Sequence, residues 1–160
     1  MKLTRTAKIK LKMKPAEILP TIQAYTKAFN FVCQVGFAKK NTDGVSLHKK
    51  TYTTVRKYLP SQLAISSRMK ATEALASVFT KTKHKKYGSC PKSEFCSIRY
   101  DKNSYSLFLD KKEVSLLTIS GRKRFALAIP EYYKEQFASW RHCSADLTIR
   151  KKQSLFTYSF

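Results

Sequence analysis

The sequence predicts an α+β fold: one strand, a helical insertion, then a small antiparallel sheet that the first strand joins. Two changes of period carry this. Residues 2–14 alternate basic and apolar side chains, the period of a half-buried strand. Residues 15–87 move to steps of three and four, the period of amphipathic helices. From residue 88 the period returns to two. A lone first strand needs partners, so it is expected among the C-terminal strands, with the helices as an insertion.

In the first strand Ala7, Ile9, Leu11 and Met13 share one face, and Lys8, Lys10, Lys12 and Lys14 the other. Lysines on an edge strand also prevent aggregation. Six basic residues and no acid before Pro15 favour a face that follows phosphates. Ile18, Ile22, Tyr25, Phe29 and Val32 then form a helical stripe, with Gly36 in line. Pro15 and Pro20 fit only near the start of that helix. The stripe reads as core rather than as a stacking platform. Asn41 to Gly44 is a turn, and a short helix is expected over 46–58 with Leu47, Val55 and Tyr58 inward.

Leu59-Pro60 breaks the chain, and Ser61 is placed to cap a third helix running to about residue 82. Ala64, Arg68, Ala71, Leu75, Val78 and Phe79 follow its period. The helix ends in Lys81, Lys83, His84, Lys85 and Lys86, which reads as a solvated terminus or as a phosphate contact. Strands follow through Cys96, Ile98 and Tyr100; Tyr105, Leu107 and Leu109; Val114 and Leu116; Phe125, Leu127 and Ile129. Asp101-Lys-Asn103 is the turn between the first two. A short helix from Pro130 to about Ser139 precedes strands through Cys143, Ala145, Leu147 and Ile149, and through Phe156, Tyr158 and Phe160. A Greek-key barrel of the oligonucleotide-binding type suits this strand count.

Lys and Arg number 32 against 10 Asp and Glu, a net charge of +22 over 160 residues. A domain so basic repels itself unless it meets polyanions. With 42% hydrophobic and 12% aromatic residues, the chain can form a core, unlike a disordered basic tail. No run reaches the roughly 18 apolar residues of a spanning helix, and no basic helix shows a Trp/Leu face. Nucleic acid is therefore the expected partner, not membrane. The N-terminus lacks a signal-like apolar run, so a reducing cytoplasmic compartment and free thiols are expected.

Catalytic signatures are missing from the pattern. Gly36, Gly44, Gly88 and Gly121 are too dispersed for a phosphate loop. No acid sits centrally in an apolar strand, where a nuclease would hold its metal ions. Cys90 and Cys96 have five residues between them and no second pair, so ordinary cysteines are expected rather than zinc ligands. No catalytic centre, metal or cofactor is expected.

Three stretches resemble the N-terminal part of TnpB-type (OrfB-family) RNA-guided nucleases, transposon-encoded relatives of CRISPR type V effectors. The first is Arg5-Thr-Ala-Lys-Ile-Lys-Leu-Lys12, with Ala28-Phe-Asn-Phe-Val32 in the helix after it. The second is Leu59-Pro-Ser-Gln-Leu-Ala-Ile-Ser-Ser-Arg68, continuing to Ala74-Leu75. The third is Ser97-Ile-Arg-Tyr-Asp101, then Tyr105-Ser-Leu107 and Ala145-Asp-Leu147. They span most of the chain in family order. The segment Cys90-Pro-Lys-Ser-Glu-Phe-Cys96 departs from the family's more basic pattern.

The resemblance implies a wedge domain with an oligonucleotide-binding-like barrel, formed by residues 1–14 and 88–160, and a helical recognition insertion over 15–87. It implies that the barrel holds guide-type structured RNA, and that barrel and helices together read a short motif in double-stranded target DNA. The counterpart positions are Thr51, Tyr52, Ser61, Gln62, Ile65, Ser66, Arg99, Tyr100 and Asp101. Tyr52 and Tyr100 are candidates to stack on a base, although burial is the commoner fate of tyrosine. Backbone contacts are expected from Lys8, Lys10, Lys12, Lys14, Lys81, Lys83, Lys85 and Lys86. The family's RuvC-like nuclease domain would begin beyond Phe160, so the chain reads as a binding module in a prokaryotic cytoplasm, associated with the nucleoid. Alternatives are a non-specific nucleic-acid binder, or half of a split nuclease completed by a RuvC-bearing chain.

Overall fold

Alternation decides the first element. In the computed structural model, which describes residues 6–81, 88–139, 144–150 and 153–159, β1 runs Thr6–Lys12 with strictly alternating burial. Ala7, Ile9 and Leu11 are buried, while Lys8, Lys10 and Lys12 are exposed. A one-residue slip would drive three lysines into the core, so the register is strongly specified.

The chain forms an α+β structure. After β1 come α1 (Pro15–Ala38), α2 (Gly44–Val55) and α3 (Ser61–Lys81). The strands β2 (Ile98–Tyr100), β3 (Tyr105–Phe108), β4 (Glu113–Thr118) and β5 (Gly121–Ala128) follow. A 3-10 turn (Glu131–Tyr133), α4 (Lys134–Ser139), β6 (Ser144–Arg150) and β7 (Gln153–Ser159) complete the order. The chain divides into two compact units, Met1–Pro20 with Ser97–Phe160, and Thr21–Cys96. These boundaries fall inside α1 and after Cys96, rather than at residues 15 and 88.

In the first unit seven strands make one sheet, ordered β2-β6-β7-β1-β5-β4-β3. Every ladder is antiparallel. The N-terminal strand is thus the central one, held between β7 and β5. Inward residues meet in register: Leu11 opposes Leu127, Val114 opposes Phe125, Tyr105 opposes Leu116, and Ile98 opposes Leu147. All eight are buried. Each aliphatic side chain so buried contributes about 1.5–3 kcal/mol.

The sheet cannot be flat. Its edge strands β2 and β3 are joined by only four residues, Asp101 to Ser104. Such a link spans at most about 18 Å, whereas seven flat strands would be about 29 Å across. The sheet therefore curls until its edges approach each other. Tyr100 on β2 donates from its hydroxyl to the Leu117 carbonyl on β4 at 3.0 Å. Among the described residues no ladder pairs β2 with β3, so the sheet is curled but not closed by hydrogen bonds. At the β4–β5 turn Gly121 has φ +94, a conformation suited to glycine.

The helices start and stop on local chemistry. Pro15 opens α1, and the Glu17 carboxylate accepts from the Lys14 backbone N–H at 2.8 Å, half of a capping box. Lys14 therefore sits at the helix cap, off the strand and outside the lysine row of β1. Pro20 removes a donor in the second turn, on the exposed side of α1. At the other end Asn41 N–H donates to the Gly36 carbonyl and Lys40 N–H to that of Phe37, with Lys40 at φ 47. This is a Schellman motif with lysine in the usual glycine position.

Asp43 caps α2, accepting from the N–H groups of Val45 and Ser46. Residues 41–44, expected as a turn, also carry the carboxylate that starts the helix. Ser61 is not the cap of α3. The Pro60 carbonyl accepts the first helical bond, from Ala64 N–H at 2.8 Å, so Ser61 is already helical.

Inside the second unit, α1 approaches α3 and the α1–α2 turn closely at Gly36. A Cβ there would collide with Leu75 Cδ1 and come within 2.9 Å of the Asn41 carbonyl oxygen. Gly36→Ala is expected to cost about 1–3 kcal/mol through overpacking, read as a lower urea midpoint; an unchanged midpoint would mean that this contact relaxes freely.

Candidate nucleic-acid interface

The cationic face of the sheet grows out of the alternation that builds its core. With Ala7, Ile9 and Leu11 inward, Lys8, Lys10 and Lys12 point outward, spaced about 6.8 Å apart along the strand. The same parity on β5 buries Phe125 and Leu127 and exposes Arg122, Arg124, Ala126 and Ala128. Register joins the two rows: Lys10 lies opposite Ala128, and Lys12 opposite Ala126. The lysines thus face small side chains across the ladder, and Arg124 and Arg122 continue the same face further along β5.

The arginines are held in place. Arg122 donates to the Asn103 carbonyl at 2.7 Å. Arg124 lies 4.5 Å over the Phe108 ring and 3.7 Å from a Glu113 carboxylate oxygen, with its side chain still 55% exposed. On β2, Arg99 faces Asp146 across the ladder, 4.0 Å away. Arg122 and Arg124 did not figure among the sequence-derived candidates. The signal was present: Arg122 and Arg124 alternate with the inward Phe125 and Leu127, which places both on the outward face.

The motif-reading candidates divide between the two units. Tyr52, Ser61, Gln62 and Ile65 are half-buried on the helical unit. Tyr52 lies 4.3 Å from the His48 ring, and His48 and Ile65 line a cleft of about 280 Å³ with Gly44, Val45, Lys49 and Arg68. Arg68 packs so tightly on Gly44 that a Cβ there would meet its guanidinium. Its Nε is buried without a hydrogen-bond partner.

Three candidates are corrected. Thr51 is buried and donates to the Leu47 carbonyl of its own helix at 2.7 Å. Ser66 is buried against the Tyr25 hydroxyl at 2.9 Å. Tyr100 has no exposed surface and spends its hydroxyl on Leu117. None of the three presents an edge to a base. Asp101 remains half-buried, but its Oδ1 accepts from Asn103 N–H, Ser104 N–H and the Ser104 hydroxyl, which shapes the β2–β3 turn. Lys81 ends α3, and Lys83, Lys85 and Lys86 lie outside the described residues.

No protein-family model and no curated protein matches this chain. The interface therefore rests on its own residues. Among the described residues, no group of three His, Cys, Asp or Glu side chains is placed to hold a metal ion, and no helix is long and apolar enough to cross a membrane.

On the outer face, the described strand side chains include six cations, Lys8, Lys10, Lys12, Arg99, Arg122 and Arg124, against the carboxylates Glu113 and Asp146. Such a face attracts phosphates at long range. Arginines held against Phe108 and Asn103 give fixed donors, while free lysines give adaptable charge.

Proposed function

We propose that this chain is the nucleic-acid-binding module of a TnpB-like RNA-guided protein. The β1/β5 face of an oligonucleotide-binding-like sheet holds structured guide RNA, and the rim of the α2–α3 cleft contributes to reading target-adjacent duplex DNA. The observation that carries the reading is the outward row of Lys8, Lys10 and Lys12 on β1 together with Arg122 and Arg124 on the same face of the neighbouring β5, where they follow on from Ala126 and Ala128, the partners of Lys12 and Lys10. The motif-reading set contracts to Tyr52, Ser61, Gln62, Ile65, Arg99 and Asp101, with His48, Lys49 and Arg68 added from the cleft. In this reading the chain contributes binding and positioning, and cutting belongs to a RuvC-bearing polypeptide.

A second reading, general binding of single strands or duplexes, is favoured by the burial of Thr51, Ser66 and Tyr100, which removes three of the nine base-reading candidates. The two readings separate on the nucleic acid that co-purifies with the protein from cells carrying its locus, sequenced after a high-salt wash. One dominant structured RNA from beside the gene is the expected outcome. A broad mixture lost in the wash supports general binding and removes the guide-RNA role.

A further inference from the structure

Three of the four cysteines, Cys33, Cys90 and Cys96, belong to the helical unit, and none of the three is in a disulfide. The segment bearing the last two lies along one stripe of α1. Cys96 N–H donates to the Thr26 hydroxyl at 2.9 Å. Ser93 N–H donates to Asn30 Oδ1 at 2.9 Å, and Asn30 Nδ2 returns a bond to the Ser93 carbonyl at 2.9 Å. Thr26, Asn30 and Cys33 follow one another at helical steps of four and three, so they share a face. Their partners run backwards by three, from Cys96 to Ser93, and the next step is Cys90. The segment thus runs antiparallel to α1, a direction that carries Cys90 toward Cys33.

Electrostatics agrees with that placement. The Cys33 thiol is pushed up to about 12, first by burial, then by Cys90, and after it by Cys96. Cys33 is inaccessible, whereas Cys90 is half-buried and open to a small reagent. Among the described residues no trio of His, Cys, Asp or Glu side chains is arranged to hold a metal ion.

We infer that Cys90 and Cys33 form a reversible disulfide that pins the 88–96 segment to α1. The oxidant is a low-molecular-weight disulfide. The Cys90 thiolate attacks one of its sulfurs, its S–S bond breaks, and a small thiolate leaves and takes up the proton Cys90 lost. Cys33 then loses its proton and attacks Cys90 Sγ, forming the protein disulfide and releasing the second small thiolate, which takes up that proton; because burial pushes the Cys33 thiol up, this step is slow and quickens as pH rises. Two protein thiols are oxidised and one small disulfide is reduced. The bond closes a loop across α1, α2 and α3, which restrains the unfolded chain. Reversible bonds of this kind suit a redox sensor in a reducing compartment. The inference does not depend on the nucleic-acid reading.

The test incubates the whole chain with oxidised glutathione at mildly alkaline pH, blocks remaining thiols with N-ethylmaleimide and digests without reduction. The expected result is a peptide joining Cys33 to Cys90, with a Tm rise of roughly 10 °C that dithiothreitol reverses. Cys96→Ser should keep both effects and Cys90→Ser should abolish both. A Cys33–Cys96 link, disulfides between chains, an unresolved glutathione adduct on Cys90, or stoichiometric zinc in the fresh protein would each overturn the assignment.

Discussion

Replacing Lys8, Lys10, Lys12, Arg122 and Arg124 together by Gln is expected to weaken RNA binding by two to three orders of magnitude without unfolding the protein. Each neutralised phosphate contributes about −0.9 to the log–log salt slope on duplex and about −0.7 on single strands. Five lost contacts should therefore flatten the slope by about 3.5–4.5. The side chains project from the outer face, and their replacement leaves the Ala7, Ile9 and Leu11 core face intact. Arg124 also touches Phe108 and Glu113, so a small stability loss is expected from that position. The control is Lys39→Gln with Lys40→Gln, at the exposed end of α1, which should change the slope much less. Equal slopes for the five-residue variant and the wild type would remove β1 and β5 from the interface.

Tyr100→Leu separates two roles for one tyrosine. As a core residue, Tyr100 fills space inside the curled sheet and fixes β2 to β4 through Leu117. Its truncation should cost about 3 kcal/mol, the range of large-to-small aromatic changes in cores, a large share of a typical domain's stability. RNA affinity of the folded fraction should stay as in the wild type. A base-stacking Tyr100 would give the reverse, full stability and a roughly tenfold or greater loss of affinity. Denaturant melts and binding at low temperature, run on the same sample, read both quantities.

These two predictions show where the sequence was informative. Parity along β1 and β5 is a local property, since each side chain's face follows from its neighbours two residues away, so the buried row of Ala7, Ile9 and Leu11 could be read directly. The α+β order was legible for the same reason, through the change of period near Pro15 and near Gly88. What parity cannot supply is identity of partners across the sheet. That Lys10 meets Ala128 rather than an acid, and that Arg99 meets Asp146, depends on long-range register.

Polar residues on helices were the least legible. Thr51 and Ser66 carry hydroxyls that suit a DNA-reading surface, yet each can also satisfy its hydroxyl inside a packed helix pair. The buried partner, Leu47 for one and Tyr25 for the other, decides between these fates. Ser61 shows a related difficulty: a serine after Leu-Pro resembles an N-cap, but the proline carbonyl took the first helical bond. The cleft beside α2 depends on Arg68 meeting Gly44, a contact between residues 24 positions apart that no periodicity announces.

The most direct test of the central claim is differential acetylation of lysines with and without a structured RNA, read by mass spectrometry. Protection concentrated at Lys8, Lys10 and Lys12 is the predicted result, with Lys14, set at the α1 cap, protected less. Unchanged reactivity of Lys8, Lys10 and Lys12 under saturating RNA would contradict the account, because the only lysine row that β1 offers to solvent would then lie outside the interface.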